Sequence, residues 1–280
     1  MTSPANLVAA AVEKALAGQS DEEQKYISAS SLAHGCMQLV AREVQGIPKP
    51  ELEPKVKRVL EVGRDGHRRI ERYLRGISLA SEVLFKDDEH RIKGYCDSLL
   101  FIPKSLSEEH SGFYAVEIKT LGSMTFERVS SEGPREDHRR QCIIYIWGLR
   151  GHYGLPVRGG IVLYENRDTL DHRVFDIEYD EGEMESLLAR VDAMWEALGR
   201  GQLPEDHLPL GHWYHAYCPY LDICPAGQDA IRYQREHRKG IPDEVLARII
   251  GERIVRKRRE GNKKKKERSL AELCEVLGWE

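Results

Sequence analysis

Residues 113–120 read FYAVEIKT. The run begins as a buried strand, with Ala115, Val116 and Ile118 apolar, and then presents Glu117 and Lys119 two residues apart. Side chains alternate across a strand, so these two project from the same face. Taken alone, an acid and a base so placed are an ordinary surface ion pair. Their neighbours in the chain give them a second reading.

Upstream, GYCDSLL at 94–100 reads as the preceding strand and carries Asp97. If the two strands are adjacent, Asp97 and Glu117 meet at one end of a sheet. Two close carboxylates repel unless a cation lies between them. Mg²⁺ or Mn²⁺ suits such a hard oxygen site, with water completing the shell. Lys119 is then within reach of a metal-bound water or a scissile phosphate, where it orients a nucleophile or offsets developing charge.

Outward from this pair, further elements follow from periodicity and punctuation. LVAAAVEKALAG has helical spacing and ends at Gly18; SASSLAHGCMQLVAREVQG reads as a capped helix ending near Gly46, before the break IPKPELEP. KVKRVLEVGRDGHRRIERYLRG is a longer helix, with Val59, Leu60, Val62, Ile70 and Tyr73 expected on its inner side. Strand signals come at SEVLF, IKGYCDSLLFI and GFYAVEIKT, then a helix in REDHRRQCIIYIWGLRGHYG. Two more strands, RGGIVLYEN and HRVFDIEY, precede a helix over roughly residues 182–200. This order predicts an α/β fold, a central mixed β-sheet flanked by helices.

The 280 residues are enough for a full core. At 31% charged and 41% hydrophobic the chain is expected to be soluble and globular. No apolar run approaches a membrane span of roughly 18 residues. The N-terminus lacks a basic n-region and carries Glu13, so no secretory signal is expected. A cytoplasmic setting, bacterial or phage-infected, makes the six cysteines core residues or metal ligands rather than disulfides. The net charge of −4 conceals an asymmetry: Arg253 to Arg268 holds ten Lys/Arg and two Glu, leaving −12 elsewhere. That basic run is either a solvated tail or a phosphate-contacting one.

Two further elements converge on the carboxylates. His138, Gln141 and Tyr145 fall on one helical stripe, where Gln and Tyr could hold a DNA backbone, or serve as surface and core residues. His67 follows Gly63 by one helical turn; a neutral imidazole there is either a third metal ligand or an ordinary helical histidine.

The succession G-x-x-x-H (GRDGH), G-x-x-D (GYCD), E-x-K (EIK) and Q-x-x-x-Y (QCIIY) resembles the RecB-type nucleases of the PD-(D/E)XK superfamily. IVLYENRDT also resembles the strand after the Gln–Tyr helix, so the likeness runs from about residue 29 to 225. It implies a restriction-endonuclease-like core in which His67, Asp97, Glu117 and the carbonyl of Ile118 bind the metal. Asp97, Glu117 and Lys119 would be catalytic, and Gln141 and Tyr145 would line the DNA path.

The cysteines resemble one branch of that superfamily, the CRISPR-associated spacer-processing exonucleases, their phage relatives and the AddB nuclease. These join their N- and C-terminal segments with a four-cysteine [4Fe–4S] cluster, patterned as one early Cys and a later C-x-x-C-x5-C. Here Cys36, Cys218 and Cys224 match, but His215 stands at the remaining position. A histidine can ligate an Fe–S cluster, a Cys₃His set suits Zn²⁺, and a decayed site would hold no metal. Cys96, Cys142 and Cys274 fit no ligand pattern and are expected to pack. Trp213, Tyr214, Tyr217 and Tyr220 either stack bases or pack this clasp, and Arg167 either touches a phosphate or pairs with an acid.

The resemblance thus implies three regions: a helical segment over 1–50, a nuclease core over 51–205, and a clasp, helix and basic tail over 206–280. It implies a Mg²⁺- or Mn²⁺-dependent DNA exonuclease acting on single-stranded ends, with no membrane association and an integrase or recombinase as a possible partner. The rival expectation is a non-catalytic DNA-binding or assembly subunit of an integration or recombination complex. Against it, such a subunit has no chemical reason to keep the acidic and lysine positions.

Overall fold

The structure, a computed structural model, describes residues 3–6, 26–52 and 54–237. The helix expected over 7–18, the basic run at 253–268 and Cys274 lie outside the described residues. The chain divides into two compact units, one of residues 1–47 with 52–204, the other of 48–51 with 205–280.

In chain order the first unit holds β1 (Ile27–Ser28), α1 (Ala29–Ala33), α2 (Met37–Val44), α3 (Pro54–Leu74), β2 (Ser78–Asp87), β3 (Ile92–Ile102), β4 (Gly112–Leu121), α4 (Ser123–Glu132), α5 (Glu136–Tyr153), β5 (Val157–Asn166), β6 (His172–Ile177) and α6 (Glu181–Gly199). The second holds 3₁₀ turns at Trp213–Tyr217 and Leu221–Ile223, then α7 (Pro225–His237). Local chemistry sets several boundaries. Ser28 caps α1, its Oγ accepting from Ser31 N at 3.1 Å. Asp180 caps α6, accepting from Glu183 N at 2.8 Å. Gly154 ends α5 in the left-handed conformation.

The six strands form one mixed sheet, as the order of elements predicts. β3 is its hub. β2 pairs antiparallel along one edge of β3. The opposite edge is shared: β1 pairs with Ile92 and Lys93, and β4 pairs antiparallel from Ser98↔Val116 to Ile102↔Gly112. β4 then runs parallel to β5 as far as Leu121↔Asn166, and β5 pairs antiparallel with β6. A parallel pair needs a crossover, supplied here by α4 and α5.

α5 lies on one face among the largest group of buried residues, which includes Phe85, Cys96, Cys142, Ile143, Ile146 and Val162. Its apolar residues do not keep to one stripe, because both the sheet and the helices α1 and α6 cover it. α3 lies on the other face, where Ile70 packs with Leu100, Val116, Ile118 and Leu163. Of the five residues expected on the inner side of α3, only Ile70 is buried. Val59, Leu60 and Val62 are 44–49% exposed and Tyr73 is 67% exposed. The reason is where the helix meets the sheet. Its close approach begins at Gly63 and Gly66, over Thr120, so the apolar residues upstream have no strand beneath them.

Candidate active site

The site forms where β3 and β4 part. Their ladder ends at Ser98↔Val116, one residue before Asp97 and Glu117 would face each other. Beyond that point β4 continues along β5, and among the described residues Gly94 to Asp97 of β3 have no strand partner on this edge. The Asp97 side chain takes over: Oδ2 accepts from Ile118 N at 2.7 Å. The fork therefore holds two carboxylates on separate strands, pinned by a side-chain bond instead of a ladder bond.

α3 brings His67 to the same place, its Nδ1 3.9 Å from Asp97 Oδ2. A Cβ at Gly66 would collide with the methyl of Thr120, so only glycine lets α3 pass this close. The helix is also tied down electrostatically. Glu165, fully buried at the end of β5, accepts from Arg69 through both oxygens, the Nε bond measuring 3.2 Å. His172 Nε2 lies 3.4 Å from the same carboxylate. Sequence reading missed this anchor, although an acid among the apolar residues of GGIVLYEN is the kind of signal that marks a buried partner.

Burial governs the electrostatics. It raises the Glu117 pKa to about 7, against the pull of Lys119, and the Asp97 pKa to about 6. Burial also pushes the Lys119 ammonium toward neutrality, but Glu117 and Asp97 outweigh it and hold its pKa above the ordinary lysine value. His67 is pushed down, by burial first and by Lys119 second, which favours the neutral imidazole a metal requires. The Ile118 carbonyl is close enough to His67 to act in the opposite direction.

Glu117 has no exposed surface, and its carboxylate lies against Lys119, Tyr145 and Asp97. Oε1 faces Lys119 Nζ as an ion pair. Lys119 Nζ also lies 3.5 Å from Gln141 Oε1, and Gln141 Nε2 donates to the Tyr145 hydroxyl at 2.6 Å. Gln141 and Tyr145 are thus both buried, in a chain behind the lysine. Beside them His138, its pKa pushed to about 3 by burial, shares a 2.9 Å hydrogen bond with the Tyr164 hydroxyl.

The donor set fits a hard divalent cation: two carboxylates that burial makes costly to ionise alone, a neutral imidazole and a backbone carbonyl. Glu117 is held toward Lys119, so the three side chains do not converge to a single point. Among the described residues, three ligating atoms lie within 4.8 Å of one another only at Asp87, Glu89 and His90. That group is a β2–β3 turn with its own internal bonds, Asp87 Oδ2 accepting from the backbone N of His90 at 2.8 Å.

In the second unit, His215 Nε2 lies 3.1 Å from the carbonyls of both Leu208 and Pro209. It donates there, which leaves Nδ1 with the lone pair. Burial lowers its pKa. Cys96 and Cys142 are core residues with no exposed surface.

No protein-family model matches the chain, and no curated protein does. Its fold is similar to that of several solved structures. One is SSO0001, 20% identical over 79% of this chain and 95% of that one, with a TM-score of 0.43. Another is an alkaline exonuclease from Laribacter hongkongensis, 16% identical over 64% of this chain and 94% of that one, with a TM-score of 0.43. The same exonuclease in complex with dAMP gives a TM-score of 0.44. No helix among the described residues is long and apolar enough to cross a membrane.

Proposed function

We propose that the chain is a Mg²⁺- or Mn²⁺-dependent nuclease that hydrolyses phosphodiester bonds at DNA ends, single-stranded ends in the first instance. The observation that carries this reading is the Glu117 carboxylate, fully buried, paired with Lys119 and set beside Asp97 where β3 and β4 part, with burial raising the pKa of both acids. A buried acid so placed adds nothing to fold stability, and its cost is explained by a cation and a phosphate.

Asp97, Glu117, His67 and the Ile118 carbonyl would hold the ion. Bound there, it supplies a water of lowered pKa and offsets charge on the phosphate. Lys119, released from Glu117 by the competing charge, orients the nucleophile and donates to a non-bridging oxygen as negative charge builds. Gln141 fixes the Lys119 ammonium through its Oε1, and Tyr145 fixes Gln141 in turn. Their part in the DNA path, which the motif resemblance implies, is then exerted through the lysine as well as on the backbone of the substrate.

The sequence likeness to CRISPR-associated and phage-type exonucleases supports extending the proposal to a clasp of Cys36, His215, Cys218 and Cys224. An Fe–S cluster or Zn²⁺ would be held there, with His215 ligating through Nδ1. The experiment that tests the central proposal is cleavage of end-labelled oligonucleotides with Mg²⁺ or Mn²⁺. Lys119→Ala should lose at least about 100-fold in turnover, the range a positioned electrostatic donor contributes, while still binding DNA. Wild-type turnover in Lys119→Ala would sink the proposal. Binding without cleavage by the wild-type chain would favour the assembly-subunit reading.

A further inference from the structure

Between the C-terminal half of α3 and the start of β2 runs an open groove of about 790 Å³, on the face of the sheet that carries α3. Arg68 and Arg72 line its helical wall, Arg75 the turn that follows, and Ser78 and Ser81 its strand wall. Arg68 and Arg72 fall at i and i+4 on one stripe of α3, and Arg75 sits in the turn just past the helix end at Leu74. Arg68 has partners in Asp65 at 3.4 Å and Glu61 at 4.0 Å. Arg69, which also borders the groove, is committed to Glu165. Among the described residues no ion pair links Arg72 or Arg75 to a carboxylate.

Like charges one turn apart on a helix, as Arg68 and Arg72 are, repel at a cost of about 0.2–0.5 kcal/mol per pair. A small-molecule pocket of this volume is ordinarily lined by apolar and aromatic groups, and this one is lined by four arginines and two serines, beside Asp65, Glu71, Leu79 and Ala80. What suits it is a flexible polyanion.

The groove leads to the candidate active site. Glu71, which lines it, is one helical turn from His67 and close enough to act on both His67 and Asp97. On the opposite wall Ser78 Oγ is 2.9 Å from the hydroxyl of Ser98, the neighbour of Asp97. We propose that this groove is the track of the DNA strand beyond the scissile bond, with Arg72 and Arg75 holding its phosphates and the serine hydroxyls donating to them. The proposal rests on the nuclease reading for the identity of the polyanion. Arg72 is five residues past His67, so at a helical rise of 1.5 Å it stands about 8 Å along the axis, and Arg75 lies in the turn beyond it. At about 3.4 Å per stacked nucleotide, Arg72 meets a phosphate about two nucleotides from the cleaved bond, and Arg75 one farther out.

The test compares wild type with Arg72→Ala/Arg75→Ala and with the charge-keeping Arg72→Lys/Arg75→Lys. Two readouts are taken. The first is metal-free binding of a fluorescent 20-nucleotide single strand by anisotropy across a salt series. The second is Mn²⁺-dependent kcat/KM on that strand and on a dinucleotide. The double alanine variant should lower the slope of log K against log salt by about 1.4, since each single-strand phosphate contact contributes about 0.7. It should lose at least tenfold in kcat/KM on the long strand, through KM, and less than twofold on the dinucleotide. The double lysine variant should keep most of the slope. An unchanged slope and an unchanged KM on the long strand, in a wild-type chain that does cleave, would overturn the groove and leave the nuclease reading intact. A slope that depends on the arginines in a chain that never cleaves would uphold the groove and overturn the nuclease reading.

Discussion

Metal binding should be steeply dependent on pH, for a reason that lies in the burial of two carboxylates. The perturbation is a change from pH 5.5 to 7.5 during titration with Mn²⁺. Asp97 and Glu117 have pKa values raised to about 6 and about 7, and the first cause in each case is burial. The ion needs both ionised. At pH 5.5 both are ionised in less than about 1% of molecules, and at pH 7.5 in about three-quarters. The apparent affinity therefore rises about a hundredfold, or ~2.7 kcal/mol. Carboxylates at their ordinary values, near 4, would change it by less than about 10% over the same range. The two protons belong to the pair and titrate as one coupled system. Isothermal titration calorimetry in buffers of different ionisation enthalpy counts the protons released, which should approach two at the low end of the range. The sign for the metal-free chain is opposite. A carboxylate whose folded pKa is raised holds its proton more tightly in the fold than in the unfolded chain. The two groups therefore make the fold less stable as pH rises from about 4 through 7. Added Mn²⁺ should raise the melting temperature more at pH 7.5 than at 5.5. An affinity that varies less than about threefold between the two pH values would refute the burial argument, and with it the reason for reading Glu117 as a ligand.

Other changes probe the supports of the site. Gly66→Ala should destabilise the fold by about 1–3 kcal/mol, the usual cost of overpacking, and weaken Mn²⁺ binding by lifting His67. Adding Thr120→Ser removes the colliding methyl and should restore both, as read by chemical denaturation and calorimetry. Gln141→Ala should lower kcat more than Tyr145→Phe does, because it removes the Gln141 Oε1 that Lys119 leans on; equal kcat with raised KM in both would return the pair to a purely DNA-contacting role. For the clasp, iron, sulfide and zinc analysis of anaerobically purified protein should find an Fe–S cluster or about one zinc per chain. Cys218→Ser and Cys224→Ser should then melt lower, whereas metal-free protein with unchanged melting in both variants would mean the clasp is vestigial.

Much of the fold can be read along the chain because the signals for it are local. Alternation marks β3, β4 and β5; helical spacing, the Ser28 cap and the Gly154 stop mark the helices. The long helix α3 was legible as a helix but not in its burial, since Val59, Leu60 and Val62 obey the same periodicity as Ile70 and yet have no strand beneath them. A hydrophobic stripe states which side of a helix can be covered. How far the sheet extends under it depends on residues distant in the chain.

The site divides in the same way. Asp97, Glu117, Lys119 and His67 could be picked out from residue type and spacing, because acid and base chemistry restricts which side chains can serve. That Asp97 bonds Ile118 N, that Lys119 leans on Gln141 and that Arg69 clamps Glu165 were decided only by the tertiary structure. Each depends on strands and helices 20 to almost 100 residues apart being brought into register. The cause is the parting of β3 from β4 after Ser98↔Val116, which no local pattern encodes: β1 claims one end of the β3 edge and β4 the other, and the carboxylates stand in the gap between them.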